Sequence, residues 1–76
     1  MDPKKYISVT EIARGLARPE VAKEIIRLLI NDGTFNDVQI ENGEFFFERK
    51  YLEDIRDGVI HSVYYHRFLE TGEFEG

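Results

Sequence analysis

Residues 19–31 read Pro19-Glu20-Val21-Ala22-Lys23-Glu24-Ile25-Ile26-Arg27-Leu28-Leu29-Ile30-Asn31. Val21, Ala22, Ile25, Leu28 and Leu29 recur at helical spacing on one side, and Lys23, Glu24 and Arg27 fall on another. Pro19 suits the first helical turn, where its missing N–H would have had no partner. Asn31-Asp32-Gly33 ends the run, with Gly33 free to take the left-handed conformation that closes a last turn. The spacing predicts a helix over 19–31, and the rest of the chain reads as packing for it or as surface displayed with it.

Upstream, Ser8-Val9-Thr10-Glu11 matches a capping box, in which Ser8 accepts from the Glu11 N–H and Glu11 reaches back to Ser8. A short helix over 9–14 follows, with Val9, Ile12, Ala13 and Leu16 as its apolar set and Gly15 at its end. Tyr6-Ile7 reads as a short strand or an apolar anchor before it. Two short helices joined through Ala17-Arg18 form a helix-turn-helix pattern.

Downstream the period changes to 2. Asp37-Val38-Gln39-Ile40-Glu41 and Glu44-Phe45-Phe46-Phe47-Glu48 flank Asn42-Gly43, a strong signal for a type I′ hairpin turn. A two-residue turn sets Glu41 against Glu44, Ile40 against Phe45, Gln39 against Phe46 and Val38 against Phe47. Val38, Ile40, Phe45 and Phe47 then share the core face, and Phe46 points the other way.

The last element is expected as one helix from about Lys50 to Leu69, with a bend possible at Gly58. Leu52, Ile55, Val59 and Val63 form one apolar stripe; Ile60, Tyr64 and Phe68 form a second. The expected domain is 6–69, with 70–76 a polar tail carrying Phe74.

The chain has 76 residues, no cysteine and a net charge of −5. Its size sets one small domain of modest stability, and disulfides and thiolate metal sites are excluded. No run is apolar enough to span a membrane and no signal-peptide pattern opens the sequence, so a soluble cytoplasmic domain is expected. Residues 1–34 carry six Lys/Arg against five Asp/Glu, and residues 35–76 carry four against ten. An acidic C-terminal half is a poor match for a phosphate backbone.

Strand, helix, tight turn, helix, hairpin, helix: this order resembles the winged-helix superfamily. The resemblance rests on Thr10-Glu11-Ile12-Ala13, Leu16, Val21, Ile25, Leu29, Gly33 and the Asn42-Gly43 wing, and covers residues 6–48. It implies a small winged-helix-like α+β fold with two short helices, a two-stranded hairpin and a C-terminal helix. The family's usual first helix is missing, and the turn between the two short helices is shorter than in many DNA-binding versions. The gap needs a filler, either the C-terminal helix or a partner's helix. A wing strand leading into a long helix is also similar to tandem winged-helix proteins.

Two functions follow as expectations. One is a protein-binding module, self-associating as a homodimer or part of a larger assembly, with Phe46, Ile60, Tyr64 and Phe68 as contacts. The alternative is a dimeric, nucleoid-associated DNA-binding regulator using Arg14, Arg18, Lys23 and Arg27, the residues to which the resemblance points. Pairing of Glu20 and Glu24 with Lys23 and Arg27 would leave those cations a solvated face, and Glu41 and Glu44 at the wing tip would repel phosphate. No metal, cofactor or small-molecule substrate is expected. His61 and His66 are five apart, diverging by about 140° on a helix, whereas a zinc pair wants a spacing near four. His61 is read as solvent-facing and His66 as a core-edge residue. No nucleophile–base pairing or Gly-rich phosphate loop supports an enzyme.

Overall fold

The computed structural model describes residues 2–72; the remainder of the expected tail, with Phe74, lies outside the described residues. Strand β1 (Tyr6–Ser8) runs directly into helix α1 (Val9–Arg14). The change of backbone falls at Ser8, which is extended and whose Oγ accepts from the Glu11 N–H at 3.2 Å. That bond satisfies one of the donors a helix start leaves open. Helix α2 spans Pro19–Asn31, and Gly33, at φ +85°, turns the chain away from its end.

Strands β2 (Gln39–Glu41) and β3 (Glu44–Glu48) form the hairpin. Asn42 and Gly43 have φ of +52° and +78°, the positive pair a type I′ turn requires. The observed partners are Glu41 with Glu44, Ile40 with Phe45 and Gln39 with Phe46. Val38 lies outside the strand and is half-buried. The sheet has three strands, not two, because β1 pairs antiparallel with β3, setting Ile7 opposite Phe47 and Ser8 opposite Phe46. The Arg49 N–H continues this ladder to the Lys5 carbonyl at 2.8 Å.

The expected single C-terminal helix is two. A 3₁₀ turn (Arg49–Tyr51) leads into α3 (Leu52–Ile60), and α4 (Val63–Thr71) follows after His61-Ser62. The break is at Ser62, not Gly58. The extended Ser62 donates its hydroxyl to the Val59 carbonyl at 2.7 Å, closing α3, and accepts from the Tyr65 N–H at 3.2 Å, opening α4. One buried side chain thus serves both helix ends. Gly58 instead makes room for a neighbour, since a Cβ there would lie 2.8 Å from the Phe35 ring. Helix α4 also runs beyond the expected end at Leu69, closing at Gly72 with φ +72°.

Among the described residues the fold is therefore a small α+β domain of four helices and a three-stranded antiparallel sheet in the order β1-β3-β2. Its core joins Ile7, Val9, Ile12, Ala13, Phe47 and the inner face of α2 to Ile55, Val59 and Phe68. Because α1, α3 and α4 all pack on α2, its buried arc is wider than the expected stripe: Ile26 is fully buried and Leu28 only half-buried. Helix α3 is also pinned to α1. Arg56 donates Nε–H to the Ile12 carbonyl at 3.3 Å and lies across Gly15, where a Cβ would collide with the guanidinium.

The core-face assignment of Ile40 fails; the residue is 66% exposed. Its register is as expected, but only the base of the hairpin reaches the helices, so Phe47 is buried and Phe45 half-buried. Val63 leaves its expected stripe for the same kind of reason. The break at Ser62 resets the helical phase, and Val63 is 64% exposed.

Candidate functional site

Three surfaces carry the residues that bear on function. The first is the outer side of α1 and α2. Arg14 pairs with Glu11 at 3.5 Å, Arg18 with Glu20 at 3.0 Å and Arg27 with Glu24 at 2.8 Å. The expected Glu20–Lys23 pair does not form. Glu20 turns to Arg18, and its carboxyl is held below the usual range first by its own backbone N–H at the helix start and then by Arg18. Lys23 has no ion-pair partner among the described residues. Lys23 and Arg27 line a narrow groove against the hairpin, facing Gly43, Glu44 and Phe45. Glu44 is tied across to α1, accepting from both the Thr10 N–H (3.2 Å) and the Thr10 hydroxyl (2.9 Å).

The second surface is the set of expected partner contacts, which the structure does not bring together. Phe46 is half-buried on the outer face of the sheet, in an open groove that also holds Tyr6, Glu11, Glu41 and Arg49. Ile60 is 41% exposed at the end of α3, beside Leu16, Arg56 and Asp57. Tyr64 is half-buried and donates its hydroxyl to Asp32 Oδ2 at 3.2 Å. Phe68 belongs to the core at 8% exposure, with the Arg18 guanidinium 5.4 Å from its ring centre. Local pattern gives Ile60, Tyr64 and Phe68 one continuous stripe; the break at Ser62 divides it. Val63, three residues past Ile60 across the corner, joins it as an exposed aliphatic side chain.

Asp32 ties the end of α2 to α4. Its Oδ1 accepts from the Thr34 hydroxyl (2.6 Å) and N–H (2.9 Å), its Oδ2 from Tyr64. These bonds hold the Asp32 carboxyl below its usual range, the Thr34 hydroxyl first. The same bond to Asp32 holds the Tyr64 hydroxyl above its own.

The third surface joins residues that no sequence pattern connects. A pocket of about 210 Å³ opens between the loop after α2 and the start of α3, lined by Phe35, Asp37, Phe47, Tyr51, Asp54 and Ile55 among others. Phe35 and Phe47 meet edge to face, with centres 5.9 Å apart. A phenylalanine two residues past the helix-ending Gly33 was the available signal, but no periodicity connects it to Tyr51.

Among the described residues no group of three or more His, Asp or Glu side chains is placed to hold a metal ion, and no helix is long and apolar enough to cross a membrane. His61 is exposed, its ring 3.3 Å from the Asp57 carboxylate. His66, expected at the core edge, is also exposed, again because α4 starts a new phase. No protein-family model matches this chain, and comparisons with curated proteins and with solved structures found no match.

Proposed function

We propose that this chain is a non-enzymatic, winged-helix-like module that works by binding protein, either a second copy of itself or a subunit of a larger assembly. The observation that carries this reading is the α3–α4 corner, where Ile60 and Val63, three positions apart, are both exposed; among the described residues Ile40 and Leu69 are the other exposed large apolar side chains, and most of the rest reach the core. Covering aliphatic surface at this corner would remove it from water, the gain that drives protein association. The sequence of strand, two helices and hairpin, with β1 alongside β3, supports the winged-helix comparison. Of the four expected contacts, Ile60 and Phe46 retain accessible surface for this role, whereas Phe68 serves the fold.

Sedimentation velocity over a wide concentration range, alone and with the candidate assembly partners, tests the proposal. Association that weakens at least tenfold in Ile60→Ser/Val63→Ser is the expected result. A chain that stays monomeric and binds no partner, or associations indifferent to both changes, would overturn it.

DNA binding through α2 is the second reading, favoured by the groove in which Lys23 and Arg27 face the hairpin. It ranks lower because Arg14, Arg18 and Arg27 already hold carboxylates, which a phosphate would have to displace. Titration of mixed duplex DNA at low salt decides it: a DNA-binding domain shows affinity that falls steeply with added salt.

A further inference from the structure

We infer that the pocket between the α2–β2 loop and α3 is a receptor for one arginine side chain of a partner protein, a proposal that rests on the protein-binding reading and names what the partner presents. The walls and charge both point to a planar cation. Phe35 and Tyr51, both half-buried, supply the aromatic surface, and the core residues Phe47 and Ile55 form the floor behind them. Aromatic faces attract guanidinium groups through the ring quadrupole, more often than ammonium groups. Tyr51 already draws one cation, the chain's own Lys50, whose Nζ lies 5.1 Å from the ring centre.

Asp37 and Asp54 stand at the same pocket. Neither has a hydrogen-bond or ion-pair partner among the described residues, in a molecule that pairs most of its other carboxylates. They come from separate segments, Asp37 from the loop and Asp54 from the first turn of α3, and offer acceptors to a guanidinium fork. The positive end of α3 opposes a cation only weakly, since Glu53 and Asp54 already lie in its first turn. Size agrees as well. The volume of about 210 Å³ is below the ~300 Å³ at which pockets for drug-sized ligands begin, and suits a single side chain.

The pocket is also preformed. The Phe35 N–H is bonded to the Leu29 carbonyl at 3.0 Å. The Phe35 ring is held between Phe47 and Gly58. An entering side chain therefore finds its aromatic wall in position and loses less to ordering.

The test uses the full chain and a blocked Gly-Arg-Gly peptide, with Gly-citrulline-Gly as the uncharged isostere, followed by NMR. The expected result is saturable movement of the Phe35 and Tyr51 ring signals with the arginine peptide only. Asp37→Asn/Asp54→Asn should weaken it about tenfold or more, the scale of a lost charge-assisted bond. Asp37→Asn alone, a change in the loop and not in α3, checks that any loss does not come from a weakened helix. Equal binding of the citrulline peptide, no loss in the Asp variants, or equal movement at Glu41 and Phe46 (general attraction to an acidic surface) would overturn the proposal. Failure here with association through Ile60 and Val63 intact removes the pocket only. Arginine binding by a chain that forms no protein complex removes the partner protein, and with it both the wider reading and the proposal as stated.

Discussion

Gly58 and Asp32 show how much single residues carry in a domain this small. A glycine inside α3 costs about 1 kcal/mol of helix propensity relative to alanine, so Gly58→Ala would ordinarily stabilise. Here the new methyl meets the Phe35 ring, which is backed by Phe47. Overpacking costs typically about 1–3 kcal/mol, so the expected outcome is a net loss of roughly 1 kcal/mol, read from urea denaturation. Gly15→Ala is a contrasting case, since the obstacle is the mobile end of Arg56; displacing it costs the hydrogen bond to Ile12, roughly 1 kcal/mol. Asp32 makes a pH prediction. A carboxyl whose folded pKa is depressed contributes stability that is present above its unfolded pKa and lost as pH falls through the lower folded value. Thr34→Ala should move the Asp32 titration towards the usual carboxylate range, and by more than Tyr64→Phe does, because the Thr34 hydroxyl is the larger cause. Carboxyl chemical shifts followed against pH measure both.

Among the elements, Ser62 decides how the C-terminal third folds. Ser62→Ala removes a helix cap and the bond that closes α3, at an expected cost of about 1–2 kcal/mol. Faster amide exchange confined to the start of α4 would locate the effect. The same residue marks the boundary of what local pattern reveals. The bounds of α1 and α2 and the hairpin register were legible because each rests on neighbours in sequence: Ser8 with Glu11, Pro19 with its first turn, Asn42 with Gly43. The α3–α4 break was not, since apolar residues continue at helical spacing through Ser62 and Ser62 lacks the glutamate three places on that completes a capping box. A short strand at Tyr6-Ile7 was legible as one of two readings, but its place in the sheet was not, for another reason. Pairing of Tyr6–Ser8 with Phe46–Glu48 spans some forty positions, and no short-range pattern encodes it. The candidate contacts suffered most, because one unforeseen helix break sent Phe68 into the core, tied the half-buried Tyr64 to Asp32 and left Val63 outside.

At the scale of the whole molecule, α3 and α4 are the other half of a core that α1 and α2 begin. Phe68 supplies much of α4's share, and Phe68→Ala should cost about 3 kcal/mol, the low end for a buried phenylalanine at a core margin. Against a total of about 5–15 kcal/mol for a typical domain, that loss should lower the thermal midpoint sharply, as circular dichroism will show. The hairpin tip has the opposite character, with few apolar contacts and a firm tether from Glu44 to Thr10. A ribbon moored in this way behaves as a fixed fin and not a trailing finger. Whatever docks beside it would meet a wall already standing, and Glu44→Ala, which removes the acceptor of both Thr10 bonds, should slacken that wall, seen as faster amide exchange in the hairpin alone, without unfolding the body behind it.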